Sequence, residues 1–524
     1  MTILSIADLE AKLQKYNTED ILSGIIEFQL MDIVEVNRLY NCEMLAGLLV
    51  KNELQLNNKK AKLRHFERLY EMADKEASKM TMQYLSESIE AANNGGNKKD
   101  LEKSFQMKIK QLYHRGDGYI HQILEFAQKL YGHFDKDISQ VFGFSFTECK
   151  NIFLYIFQKY VKKSKSIANL SGNLARGGDR NPFIPSSYNY EYRISKEELY
   201  SVFGQEVVDN WIEYFNVSLG GNTNAQYNSL SDFNILYSKP VLAFDEYIYL
   251  ILPVNSLQNL HKIFHYEFIA NKTFSKEVRE SYKQYRGDLL ENLTADYMKR
   301  LFKNKDVFNS LFYFEDGHNL EEDYRFEADV TVQRDNVTLL CECKSKLLVL
   351  NSLKGQLESI ESDVNAAIIS ANKQADRTHR YITERKEIYK RNKNGSFEKV
   401  YLKNTNEYVK ICIVADHFGW IPSNISDYIS SDNLPIVLNI FDLDLLTKET
   451  KDYREFLEYL ISRRNHLGEF QSIDEFEIFC AFQEGRIPVE SDKNTMYVFA
   501  ENTEERDEKY YEAEYNWLLE YEFN

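Results

Sequence analysis

As far as its first proline, Pro182, the chain places apolar residues at helical rather than alternating spacing. Ser5-x-x-Asp8 ahead of Leu9 and Leu13 is a capping signal. Between residues 59 and 92, Leu63, Phe66, Leu69, Tyr70, Met72, Met80, Met82 and Leu85 predict one long amphipathic helix whose phase drifts. Asn93-Asn94-Gly95-Gly96-Asn97 breaks it. Further helices are predicted over 101–113, 119–134 and 147–163, the last with Ile152, Phe153, Tyr155, Ile156 and Tyr160 on its apolar side. Such helices suit a bundle that docks a partner, oligomerises or regulates. They carry no catalytic pattern.

The pattern changes after a polar stretch, 164–192, which contains Pro182 and Pro185 and marks a boundary. From Ile194 the chain is mixed. Val241-Leu242-Ala243-Phe244, Asp245-Glu246 and Tyr247-Ile248-Tyr249-Leu250-Ile251-Leu252 predict a small hairpin, and 257–268 a helix. A second hairpin is predicted from Asp329-Val330-Thr331-Val332, the polar Gln333-Arg334-Asp335-Asn336, and Val337-Thr338-Leu339-Leu340-Cys341-Glu342-Cys343-Lys344. Val409 to Ala415 and Pro435 to Phe441 read as buried strands that extend the same sheet. Helices follow from Phe441, around Phe456 to Leu460 with Arg463-Arg464 at the end, and on to about Ile487. The predicted class is α/β, or α+β overall. Five segments are predicted: a helical domain at 1–165, a linker at 166–195, a small mixed region at 196–280, a sheet-centred core at 281–446, and a helical extension with an acidic tail at 447–524.

The second hairpin carries the chemistry. Alternate residues of a strand share a face, so Glu342 and Lys344 point one way and Cys341 and Cys343 the other. Pairing brings Asp329 close to Glu342. Two carboxylates and an ammonium then converge in an otherwise apolar sheet. Such a cluster is expensive to desolvate unless a cation and a phosphate are meant to sit there. Upstream, Arg286-Gly287-Asp288-Leu289-Leu290-Glu291-Asn292-Leu293 opens a helix, with Leu289, Leu290, Leu293, Tyr297, Met298, Leu301 and Phe302 at helical spacing. Downstream lies Ala371-Asn372-Lys373-Gln374-Ala375-Asp376-Arg377.

This constellation resembles the PD-(D/E)XK, or restriction-endonuclease-like, nuclease superfamily over roughly residues 285–377. Asp329, Glu342 and Lys344 match its signature, Glu291 its upstream helical Glu, and Gln374 its downstream Gln. Ala328 stands where the family's pattern has Pro. The resemblance implies a central mixed sheet flanked by helices and Mg²⁺-dependent phosphodiester hydrolysis, with Mn²⁺ as a substitute. Asp329 and Glu342 would hold the cation, with the main-chain carbonyl of Cys343 and with Glu291 as further ligands. Lys344 would orient water or stabilise charge on the phosphate. Glu327, two residues before Asp329, and Gln374 would support them. Helical modules fused to such cores are common in bacterial defence against phage and mobile DNA. The resemblance leaves one alternative open: a chain that keeps the fold but only binds nucleic acid or acts as a scaffold.

Lys373, Arg377, Arg380, Arg385 and Lys386 begin the most basic stretch, with ten Lys and Arg against four Asp and Glu from Lys373 to Lys403. It is the candidate element for binding a nucleic-acid backbone, DNA before RNA. The formal charge of −17 opposes such a partner. Much of it lies in residues 499–524, where nine acids face Arg506 and Lys509. Tyr510, Tyr511, Tyr515, Trp517, Leu518, Leu519 and Tyr521 predict that this tail packs rather than floats. Residues 1–13 carry Asp8, Glu10 and Lys12 and give no signal peptide, and no apolar run reaches membrane-spanning length. The six cysteines are scattered in apolar settings, which predicts reduced thiols in a cytoplasmic protein with no membrane partner. Cys341-x-Cys343 lacks the second pair of a zinc knuckle. His261 and His265 share a helix face without a third ligand.

Overall fold

The computed structural model describes residues 5–31, 39–113, 116–175, 192–269, 273–314, 325–384, 386–392, 394–430, 433–472, 474–491, 495–498, 516–518 and 520–521. Arg385, residues 176–191 of the predicted linker and most of the acidic tail lie outside this set. The chain divides into two compact units. One comprises Met1–Gly96, Lys108–Glu280 and Glu505–Asn524, the other Asn97–Met107 and Ser281–Glu504. The helical half and the small mixed region thus share a unit, and residues up to Glu504 share the other with the large sheet.

In the first unit Ser5 caps Ile6–Leu13 through the capping box read from the sequence. Leu63–Asn93 is one helix of 31 residues. The helix predicted over 147–163 runs on to Ala175, because a polar composition does not by itself stop a helix once its turns are formed. Residues 257–268 do not form one helix. They fold as Pro253–Gln258 and His265–Ile269 with turns between. There the His261 carbonyl accepts from the buried Tyr131 hydroxyl at 2.9 Å, and its ring meets Asp117 at 2.7 Å. Val241–Phe244 and Tyr247–Leu250 form the predicted hairpin, with Asp245 at φ 48 in its turn, and Ile194–Ser195 adds a third strand. The described end of the tail packs on helix Phe146–Ala175. Gln158 donates to the carbonyls of Leu518 and Tyr521 at 2.7 and 2.9 Å.

The second unit is built on a seven-stranded mixed sheet. Its elements are helix α1 (Lys276–Leu301, of which Ser281 onward belongs here), β1 (Val307–Phe314), β2 (Arg325–Arg334), β3 (Val337–Lys344), α2 (Leu357–Val364), α3 (Ser370–Thr383), β4 (Ile388–Arg391), β5 (Phe397–Val400), β6 (Glu407–Val414), β7 (Ile436–Asn439), α4 (Ile440–Glu449), α5 (Tyr453–Asn465) and α6 (Glu475–Gln483). The strand order is β7-β6-β3-β2-β1-β4-β5. The hairpin β2–β3 is antiparallel, while β3–β6 and β6–β7 are parallel. A parallel pair needs a long crossover, which α2 and α3 supply between β3 and β6.

Asn365–Ile369, a π-helical turn, joins α2 to α3. Ala375, Tyr381 and Ile382 of α3 bury themselves on Leu311, Tyr313, Ala328 and Leu340 of the sheet. Residues Asn97–Met107 complete this unit. Met107 enters the core of Ile360, Val364 and Cys412, and Ser104 donates to the Gly355 carbonyl at 2.8 Å.

Strands β1, β4 and β5 were not expected, nor was the short parallel pair Phe470–Gln471 and Tyr497–Val498 in the region predicted as a helical extension. The basic stretch is therefore not one element. It begins as α3 and continues as the β4–β5 hairpin, where Lys390 pairs with Glu398 at 3.2 Å and Lys399 with Glu387 at 2.5 Å.

Candidate functional site

The β2–β3 ladder pairs Val330 with Cys341, which sets Asp329 opposite Glu342. A two-residue turn, Asp335-Asn336, fixes that register, with Asp335 at φ 51. On the other side of β2 the pairing passes from Asn309↔Val330 to Leu311↔Ala328. Ser310, between them, takes φ 56, a left-handed conformation that costs a non-glycine residue energy in mid-strand. The strain lies directly beside Asp329.

Asp329 is 5% exposed and Glu342 1%. Their carboxyls are close enough for each to act on the other's charge. Glu342 Oε2 is buried with no hydrogen-bond partner. Burial, then the Asp329 charge, pushes the Glu342 carboxyl well above the ordinary carboxylate range. Burial also raises Asp329, against the pull of Lys344. The Cys343 amide donates to Asp329 Oδ2 at 2.7 Å. The main-chain amide of Cys343 thus enters the site as a donor. Its thiol turns to the opposite side and meets Thr294 Oγ1 of α1 at 3.4 Å.

Helix α1 supplies Glu291, one turn before Thr294. Burial first, then the charges of Asp329, Glu327 and Asp288, push its carboxyl up to about 8. Helix α3 supplies Gln374, whose amide does two jobs. Its Nε2 donates to the Glu327 carbonyl at 2.8 Å and Asp329 Oδ1 at 3.2 Å, and its Oε1 accepts from Lys344 Nζ at 2.9 Å. Lys344 Nζ lies 3.8 Å from Asp329 Oδ2. The five residues Glu291, Asp329, Glu342, Lys344 and Gln374 are therefore brought together from two strands and two helices, with Glu327 beside them.

Several residues that hold this arrangement escaped the sequence reading. Asp416, at the end of β6, accepts from the Leu348 amide at 2.8 Å. Asp363 of α2 accepts from the Val349 amide at 2.9 Å and the Ser352 hydroxyl at 2.6 Å. Both are buried, and together they latch the chain leaving Lys344. Lys410 of β6, 1% exposed, reaches Asp376 of α3 at 2.7 Å and fixes the helix that bears Gln374. A lone Lys in the apolar run Val409-Lys410-Ile411 was the available signal.

The fit to a hard cation follows from this donor set. The neighbouring side chains offer oxygen, and Glu342 Oε2 is buried without a hydrogen-bond partner, a donor set that suits a hard cation. Among the described residues no group of three or more His, Cys, Asp or Glu side chains is placed to hold a metal ion, so Glu291, Asp329 and Glu342 do not form a three-carboxylate site. Mg²⁺ does not need one, since it is ordinarily held by one or two carboxylates with waters and substrate phosphates.

Of the basic residues, Lys373 and Arg380 are exposed on α3. Arg377 lies with its guanidinium 3.9 Å from the centre of the Phe326 ring. Lys386 is engaged with Glu384 at 3.2 Å and with the Tyr381 ring. Lys373, Arg377 and Arg380 recur at helical spacing on one face. Among the described residues no helix is long and apolar enough to cross a membrane. The chain matches no protein-family model, curated protein or solved structure with which it was compared.

Proposed function

We propose that the second unit is a divalent-cation-dependent nuclease core of the PD-(D/E)XK kind, hydrolysing phosphodiester bonds, with DNA as the first candidate substrate. The observation that carries this reading is the buried acid pair Asp329–Glu342 with Lys344 beside it, Gln374 bonding both Lys344 and Asp329. A structural ion pair would have one acid and one base. Here acids are in excess in a site nearly closed to water, a cost with no structural return.

Asp329 and Glu342 would hold Mg²⁺, or Mn²⁺ in its place. When bound, the cation supplies charge that polarises the scissile phosphate and lowers the pKa of a bound water. Lys344 Nζ, 3.8 Å from Asp329 Oδ2 and 2.9 Å from Gln374 Oε1, would stand where negative charge develops on the phosphate. Gln374 fixes both Lys344 and Asp329, so the acid and the base of the site keep one geometry. Glu291 binds a proton in the metal-free site and is placed to hold or release one at its carboxyl. Lys373, Arg377 and Arg380 would follow the strand's phosphates. One such site cuts one strand, so double-strand cleavage would take two copies.

The test is cleavage by wild type and Lys344→Ala of plasmid, single-stranded DNA and RNA, with Mg²⁺ or EDTA. Cation-dependent cutting by wild type, reduced about 10²–10³-fold in the variant, is the expected result. Equal cutting by both would refute it. Cation-independent binding of nucleic acid with no cutting would favour the scaffold alternative.

A further inference from the structure

A cleft of about 810 Å³ opens where the C-terminal half of α3 meets the start of β6 and the end of α5. Pockets that hold small organic ligands span ~300–1,000 Å³. His379 and Thr383 of α3, Asn404, Asn406, Tyr408 and Arg464 line it. One wall is a pair of flat rings, His379 and Tyr408, with centroids 4.1 Å apart and planes tilted by 44°. The Tyr408 hydroxyl donates to Asn404 Oδ1 at 2.9 Å, which anchors the ring and leaves the Asn404 NH₂ turned elsewhere. Asn406 uses only its main-chain amide, on Asn336 at 3.2 Å, and its exposed carboxamide offers one donor edge and one acceptor edge.

Charge decides what fits. The Arg464 guanidinium is spent on Glu407 and the Tyr408 carbonyl, and Glu490 also lines the cleft. Among the described lining residues no cation is left over for a phosphate. A neutral, planar group with hydrogen-bonding edges matches rings and carboxamides. Outside the cleft, exposed Arg380 follows His379 directly, and Lys373 and Arg377 share its ridge of α3, which separates the His379 side of the helix from the Gln374 side. The helix climbs about 1.5 Å and turns about 100° per residue, so His379 and Thr383 lie about 8–14 Å further along α3 than Gln374 and on another side of the helix.

We propose that this cleft takes an unpaired nucleobase of the strand whose phosphates run along Lys373, Arg377 and Arg380, which makes the substrate single-stranded or locally unpaired. The proposal rests on the nucleic-acid reading above and narrows its substrate class. A duplex keeps its bases stacked and cannot present one without paying to flip it.

The test is fluorescence anisotropy with the full chain in EDTA. The probes are a labelled single-stranded DNA, the same strand made abasic, a blunt duplex, and AMP as competitor. Wild type is expected to bind the base-bearing strand more tightly than the abasic strand or the duplex. Asn406→Ala and His379→Ala, with melting curves like wild type, are expected to weaken it about 5- to 150-fold, as loss of base stacking does, and to leave the abasic strand unchanged. Lys373→Ala should weaken both strands alike. Equal affinity for base-bearing and abasic strands, or cleft variants that weaken both, would overturn the proposal. AMP binding that depends on Asn406 without strand binding would overturn the strand and assign the cleft to a free nucleotide. A chain that cuts in Mg²⁺ but binds base-bearing and abasic strands alike in EDTA overturns the cleft alone. One that binds the base but never cuts overturns the catalytic reading alone.

Discussion

Keeping Glu342 charged inside the sheet is costly, and its neighbours make it costlier: the charges of Asp329 and Glu291 both oppose its own. A folded-state pKa raised above the unfolded value means that the folded chain holds more protons, so stability falls as pH rises across the gap. For Glu291 the gap runs from 4.5 to about 8. In EDTA the wild-type chain is therefore expected to lose stability over this window, and Glu291→Gln to flatten the loss. Melting curves at pH 5 and pH 8 check it, and parallel losses in both proteins would count against the cluster. The pairing of Asp329 with Glu342 was legible because alternation in an apolar run fixes which side chains share a face. Ser310 was not legible, since a left-handed residue inside a strand leaves no composition signal.

At the level of elements, α3 works only if its register is held. Gln374→Ala is expected to lower cleavage about 10–100-fold, the usual cost of removing a group that orients metal-site residues, with little change in folding. The Lys410–Asp376 pair is asymmetric, with Lys410 buried and Asp376 half exposed. Asp376→Ala strands a buried ammonium and should cost about 3 kcal/mol, whereas Lys410→Met removes the buried charge and should cost less. Denaturant unfolding of both variants checks the order, and the reverse order would contradict it. The central hairpin, β6, β7 and the long helices were readable because each keeps one period over many residues. Strand β1 was not, because Asn309-Ser310 interrupts its alternation. Strands β4 and β5 were hidden by their charges, which protect a sheet edge by pairing Lys with Glu across the hairpin. The latch residues Asp363 and Asp416 meet only through the fold.

For the whole molecule, a formal charge of −17 repels a polyanion, so binding must be local. With Lys373 and Arg380 as its exposed cations, the salt dependence of strand binding should be shallow. Each substitution to Ala should reduce the slope of log K against log salt by about 0.7–0.9, and an unchanged slope would remove that residue from the interface. The central proposal is that Asp329 and Glu342 hold a divalent cation. The most direct measurement is the melting temperature of wild type and Glu342→Gln at pH 8, in EDTA and in Mg²⁺. The expected result is a crossing. In EDTA the variant melts higher, by roughly 2–4 °C for each kcal/mol of relieved repulsion, and in Mg²⁺ the wild type alone gains stability. Parallel behaviour of the two proteins, with or without Mg²⁺, would contradict it.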